Sequence, residues 1–245
     1  MRRALVPAAL TAALALVPWI GVAQGQAMDA SKAVAGGGVS VPGWTGKIDP
    51  QEARRGMTLE SAKLAKDGDA LHVTTGPAVA YWNPANTASG DYTVKATFTE
   101  PKFMNLNSHD HPYGIVIAGN DMGSDQQSYL YCMAYGEGKF IVRGFGPSTT
   151  DSLHRSAPFQ MNGREGEANA AIHKAAAPGD KVSQDIAVSV KGDKVTCSIN
   201  GTAVGTYNKS DLVGPGKLKS LDGIYGIRFA HNTEGLVTGL TKTTP

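Results

Sequence analysis

Between Gln184 and Tyr207 three short runs alternate apolar and polar residues, joined by the dipeptides Gly192-Asp193 and Asn200-Gly201. Alternation with period two is the mark of an extended chain with one buried face. The dipeptides supply the positive φ that two-residue hairpin loops require. A two-residue loop also sets register. The first pairs Val190 with Val195, Val188 with Cys197 and Ile186 with Ile199, and the second sets Val204 opposite Cys197. One face is then apolar throughout, while Asp185, Ser189, Thr196 and Ser198 lie on the other. A meander of this kind needs a second layer to cover its apolar face.

Further runs of strand character lie at Ala70–Thr75, Tyr92–Thr99, Tyr113–Ala118, Ser128–Tyr135, Lys139–Phe145, Ile224–Ala230 and Leu236–Thr241, with Gly136-Glu137-Gly138 as a hairpin turn. Helix is scarce, with short candidates at Gln51–Arg55 and Ala168–Ala176. Short strands separated by turn signals predict an all-β, two-sheet antiparallel sandwich. Residues 145–181 are poor in strand signal and read as a long excursion, either a functional loop or a disordered segment.

The start of the chain reads as a secretion signal. Met1-Arg2-Arg3 precedes the apolar stretch Ala4 to Val22, followed by the small-residue exits Gly21-Val22-Ala23 and Gly25-Gln26-Ala27. Residues 1–27 are expected to be removed, residues 28–43 to form a flexible Ala/Gly/Ser-rich linker, and residues 44–245 to fold as the domain. The expected location is periplasmic or extracellular. No later run is apolar enough to span a bilayer. Without Arg2 and Arg3, the 23 basic and 21 acidic residues balance. That leaves no electrostatic footprint for nucleic acid. Cys132 and Cys197 fall in apolar sets facing the core, and in an oxidising compartment they either pair or remain two small buried hydrophobes.

The order of motifs resembles a family. Lys66-Asp67-Gly68-Asp69-Ala70-Leu71 precedes an early strand, and Gly90-Asp91-Tyr92-Thr93-Val94 opens the next. The meander of Gly192 to Tyr207 follows, and Gly223-Ile224-Tyr225-Gly226-Ile227-Arg228-Phe229 opens the final pair. This is similar to the concanavalin-A-like jelly rolls, and within them to the 3-keto-disaccharide hydrolase domains of exported bacterial proteins. Where those domains carry Asn-Ser-Gly-Ile, this chain has His111-Pro112-Tyr113-Gly114-Ile115. The resemblance implies a jelly roll that handles sugars oxidised at carbon 3.

Period two indicates what each strand presents away from the core. Tyr129, Tyr131, Met133 and Tyr135 share one face, opposite Leu130, Cys132 and Ala134. Phe140 and Val142 suit the core, so Arg143 points away with Ile141 and Phe145; Ile227 and Phe229 suit it, so Arg228 points away. Tyr129, Tyr131, Arg143 and Arg228 are therefore the candidate substrate-binding residues. Aromatic faces pack on sugar C–H groups, while guanidinium groups bond sugar hydroxyls. The alternative is a solvated sheet face. His109-Asp110-His111 is the densest polar cluster. In an extended segment both imidazoles point the same way and could share a proton-transfer role or ligate a divalent metal. A third ligand would come from Asn120, Asp121 or Asp125 if those loops met. Asp121–Asp125 could also hold calcium, His154 and Arg155 could close over a ligand, and Asn200-Gly201-Thr202 matches a glycosylation acceptor.

Three readings follow. The chain holds a carbohydrate on its concave sheet. Alternatively it cleaves 3-keto-glycosides, with His109 or His111 removing the carbon-2 proton and Arg143 or Arg228 stabilising the enolate. The third is an exported structural sandwich without a small ligand. The cofactor is left undefined, a divalent metal being one candidate.

Overall fold

The computed structural model describes Met1 and residues 30–244; the expected signal segment lies outside the described residues. Residues 31–244 belong to one compact unit. In chain order its strands are β1 (Gly38–Val39), β2 (Thr45–Ile48), β3 (Lys63–Asp67), β4 (Ala70–Thr74), β5 (Val79–Ala88), β6 (Tyr92–Glu100), β7 (Tyr113–Asn120) and β8 (Ser128–Tyr135). They continue as β9 (Lys139–Pro147), β10 (Ser156–Gln160), β11 (Glu167–Ala168), β12 (Val182–Lys191), β13 (Lys194–Ile199), β14 (Thr202–Asn208), β15 (Gly223–Phe229) and β16 (Glu234–Thr243). Two short helices are α1 (Pro50–Arg54) and α2 (Lys209–Leu212).

One sheet runs β1-β3-β4-β16-β6-β12-β13-β14, the other β10-β9-β8-β7-β15-β5-β2, with β11 also paired to β9. Apart from the parallel β1–β3 contact, the pairings are antiparallel. The core lies between the sheets. Val94, Phe98, Ile186 and Val188 come from the first, and Ile115, Ile117, Leu130 and Phe229 from the second. Phe98 stacks at 5.9 Å on Tyr113 and 6.0 Å from Phe229, tying the layers together. Cys132 on β8 and Cys197 on β13 are joined by a disulfide that crosses this core, their Cα atoms 6.1 Å apart.

The first hairpin has the expected register: Val190 faces Val195, Val188 faces Cys197 and Ile186 faces Ile199. The second hairpin departs from expectation. A bulge leaves Ser198 facing Ala203 and Cys197 facing Gly205, with Val204 between. Gly205 rather than Val204 thus comes opposite Cys197. Its missing side chain leaves room for Tyr207, because a Cβ there would lie 2.8 Å from the phenol oxygen.

Other expectations are corrected too. Residues 31–43 are not a free linker: Gly38–Val39 is a strand, Val41 is buried in the core, and the amide of Lys32 donates to Asn232 Oδ1 at 2.8 Å. Residues 145–181 contain β10 and β11. Ala168–Ala176 is not helical. Its backbone groups serve the first sheet instead: His173 N–H donates to Gln184 Oε1 (3.1 Å), Gln184 Nε2 to the His173 carbonyl (2.8 Å) and Asn200 Nδ2 to the Ala171 carbonyl (2.8 Å). Ile172 is buried by these ties. A nine-residue helix is marginal alone, so such contacts decide.

Candidate functional site

The second sheet is buried on both faces, as the near-continuous burial along β7 and β8 shows. Its inner face joins the main core. Its outer face carries a separate apolar cluster of Ala80, Val116, Tyr129, Tyr131, Met133, Ile141 and Phe145. Those cluster members all come from this one sheet, namely β5, β7, β8 and β9.

The four residues singled out from alternation share this face. Tyr131 and Arg143 are direct cross-strand partners on β8 and β9, and Arg228 on β15 faces Gly114 on β7. Gly114 has no side chain to obstruct the long Arg228 side chain. Arg228 Nη1 and Nη2 donate to the two carboxylate oxygens of Asp49 at 2.8 and 2.6 Å, and Nη1 also reaches the Tyr129 hydroxyl at 3.2 Å. Its guanidinium carbon sits 4.8 Å from the centre of the Tyr131 ring and 5.4 Å from that of Phe145. Bidentate pairing and ring stacking match the planar fork of arginine and would not suit lysine.

Arg228 is only 5% exposed. Burial opposes its charge, but the Asp49 carboxylate overrides that and holds it protonated well above the ordinary range. Burial raises the pKa of Tyr129 and Tyr131 and pushes Tyr135 up to about 12, so all three are neutral hydrogen-bonding phenols at neutral pH. Arg143 donates through Nη2 to the Arg164 carbonyl. The Nε atoms of Arg143 and Arg228 are buried without a hydrogen-bond partner. Asp49, at the end of β2, was not singled out from sequence; 179 residues separate it from Arg228.

His109 and His111 project together as expected, their Nε2 atoms 2.9 Å apart. The residue between them turns the opposite way. Asp110 accepts the N–H groups of Gly136 (3.1 Å) and Glu137 (3.2 Å), pinning the segment to the β8–β9 turn. Burial, aided by the nearby Glu137 charge, pushes its carboxyl up to about 7.

The expected third partners are elsewhere. Asp121 pairs with Lys219, Asp125 pairs with Lys47 at 3.0 Å, and Asn120 bonds the carbonyls of Ala118 and Asp222. Asn120 ends β7 and Asp121 and Asp125 follow it, whereas His111 precedes it. The lysine pairing also replaces the calcium reading of Asp121–Asp125. The residue that joins the histidines is His231. Phe229 pairs with Tyr113, and the Ala230 amide donates to the Pro112 carbonyl at 3.0 Å, so the antiparallel register carries His231 to His111. Their rings meet edge-on with centroids 4.1 Å apart. A pairing of β15 with β7 deduced in advance could have found it.

His154 and Arg155 lie in the β9–β10 turn. Arg155 pairs with Asp151 at 2.7 Å, while His154 Nδ1 contacts the Ser148 carbonyl and the residue lines an open groove with Pro147, Val213, Lys217 and Leu218. That groove contains none of the tyrosines, arginines or clustered histidines above. Asn200 holds a positive φ of 50° in its turn, and its amide is committed to Ala171 and Gln184. No helix among the described residues is long and apolar enough to cross a membrane.

A comparison with protein-family models finds no match, and a comparison with curated proteins finds none either. Solved structures do match. A Bacillus subtilis protein of unknown function with a galectin-like fold superposes with a TM-score of 0.51 at 11% identity, over 82% of this chain and 89% of that one. Carbohydrate binding module CBM66 from Bacillus subtilis gives 0.41 at 8% identity, over 85% and 99%. A glycoside hydrolase family 16 endo-glucanase from Bacteroides ovatus gives 0.45 at 12%, over 80% and 81%. Two curled antiparallel sheets and the likeness to the galectin-like structure together establish the fold: this chain is a concanavalin-A-like jelly-roll sandwich.

Proposed function

We propose that the mature protein works outside the cytoplasm, that the β9-β8-β7-β15 sheet is the concave sheet of the jelly roll, and that its outer face recognises a carbohydrate. The observation that carries this reading is the convergence of Tyr129, Tyr131, Arg143 and the Asp49-paired Arg228 on one sheet face. Rings of that kind stack on sugar C–H groups, and guanidinium groups bond sugar hydroxyls. A cross-core disulfide supports an oxidising compartment, and the charge balance leaves no basis for a nucleic-acid partner.

A second reading is favoured by the paired imidazoles of His109 and His111. In it the bound sugar is a 3-keto-glycoside. One imidazole takes the carbon-2 proton, which the ketone acidifies; the bond from carbon 1 to the glycosidic oxygen breaks and that oxygen leaves protonated by the imidazolium; water then adds at carbon 1 of the resulting enone, and carbon 2 takes up a proton as water gives one back to the imidazole. An arginine of the face stabilises the enolate.

The test uses the exported protein, titrated calorimetrically with 3-keto-glycosides and their parent sugars while cleavage is followed in parallel. Tyr131→Ala, Arg143→Ala and Arg228→Ala, each confirmed as folded, should each weaken binding. Unchanged affinity in all three removes this face as the site. Loss of cleavage with binding retained in His109→Ala or His111→Ala favours the enzyme over the binding module.

A further inference from the structure

His109, His111 and His231 form a cluster whose ligand nitrogens all lie within 4.8 Å of one another. We propose that these three side chains form a binding site for a divalent transition-metal ion, zinc foremost, in which they are the three ligands found among the described residues. This inference stands apart from the carbohydrate reading, since it concerns the ion alone.

The donor set argues the metal class. Three imidazoles and no carboxylate suit zinc and its neighbours in the first transition row, whereas calcium and magnesium take oxygen ligands. The distances fit as well. Around a tetrahedral ion with metal–nitrogen bonds of about 2.0–2.1 Å, ligand nitrogens stand about 3.3 Å apart. His109 and His111 are already at 2.9 Å, and rotation of imidazole rings about their side-chain torsions accounts for the remaining adjustment of His231. His109 is exposed and the other two are half-buried, so an ion can enter from solvent.

The backbone holds the ligands in place from both sides. Asp110 ties the His109–His111 segment to the β8–β9 turn through two amide hydrogens. The His231 carbonyl accepts from Asn107 Nδ2 (3.4 Å) and from Thr233 Oγ1 (3.0 Å). The next residue, Asn232, has a φ of 46° and donates its amide to the Gly76 carbonyl (3.0 Å), which fixes the turn leaving β15. Thr75 adds a further clamp by donating its hydroxyl to the Ala230 carbonyl at 2.6 Å. These residues orient the site, and ligands fixed in this way lose little freedom on binding an ion.

The experiment strips the exported protein with a chelator and titrates it with zinc chloride by calorimetry. Cobalt(II) in a parallel titration reports coordination through its visible absorption. The expected result is one ion per chain and a cobalt spectrum of low coordination number. His109→Ala, His111→Ala and His231→Ala should each weaken affinity by at least about tenfold, and His154→Ala should leave it unchanged. Thermal melts confirm folding, and His231→Gln repeats one of the half-buried changes with a side chain of similar reach. No uptake of either ion, undiminished affinity in all three alanine variants, or an equal loss in His154→Ala would each overturn the site.

Discussion

The disulfide between Cys132 and Cys197 makes a quantitative prediction. It links opposite sheets through the core, and both residues are nearly inaccessible, at 1% and 2% exposure. The bond closes a sequence separation of 65 residues. In the chain-entropy model a loop of that size restricts the unfolded ensemble enough to stabilise the fold by about 4 kcal/mol. That is a large share of the roughly 5–15 kcal/mol by which a domain is stable. The perturbation is the double change Cys132→Ala, Cys197→Ala, which removes the bond without leaving a buried hydroxyl. Serine would add a desolvation cost of about 1–3 kcal/mol and confuse the comparison. For a domain of this size each kcal/mol is worth roughly 2–4 °C, so the melting temperature should fall by about 8–16 °C. Guanidinium unfolding supplies the free energy directly. The m-value should rise, because an unfolded chain without the cross-link exposes more surface. A loss below about 1 kcal/mol with an unchanged m-value would refute the argument that the bond acts by constraining the unfolded chain.

Two further outcomes follow from buried groups. Burial pushes the Glu100 carboxyl from 4.5 up to about 7, against the Met104 amide that donates to it at 3.0 Å. Between those values the folded chain keeps a proton that the unfolded chain has lost. Stability should therefore fall as pH rises from about 4.5 to about 7 and level off above that. Glu100→Gln should flatten this dependence and be more stable at pH 8 by on the order of 2 kcal/mol; an unaltered pH profile in denaturant melts would discount the burial effect. Gly114→Ala should destabilise by about 1–3 kcal/mol or more, because its Cβ would lie 2.0 Å from the Cys132 carbonyl oxygen and 2.7 Å from Met133 Cα. Those are backbone atoms of β8, so strands must separate. A wild-type melting temperature in this variant would show that the β7–β8 approach is looser than described.

Local pattern made much of the fold legible. Alternation through Gln184–Tyr207 and two turn dipeptides were enough for the register of β12 and β13, since a two-residue loop allows only one pairing. The same parity argument sent Arg143 and Arg228 away from the core and Cys132, Phe140, Ile227 and Phe229 into it, as observed. It failed where a strand departs from simple alternation. The bulge at Val204 depends on Tyr207 lying over Gly205, and β5 was obscured by Pro84 and its exposed residues Pro84, Ala85 and Thr87.

Residue spacing of one or two was thus decided by the sequence, because the pleat imposes side-chain direction within each strand whatever its partners are. Tertiary structure alone decided which distant strands lie side by side. That choice sets Asp49 against Arg228, Cys132 against Cys197, and His231 against His111, pairs separated by 179, 65 and 120 residues. No local periodicity encodes such meetings. They follow from the order in which strands assemble into two sheets, which is settled by the burial of the whole core rather than by any one segment.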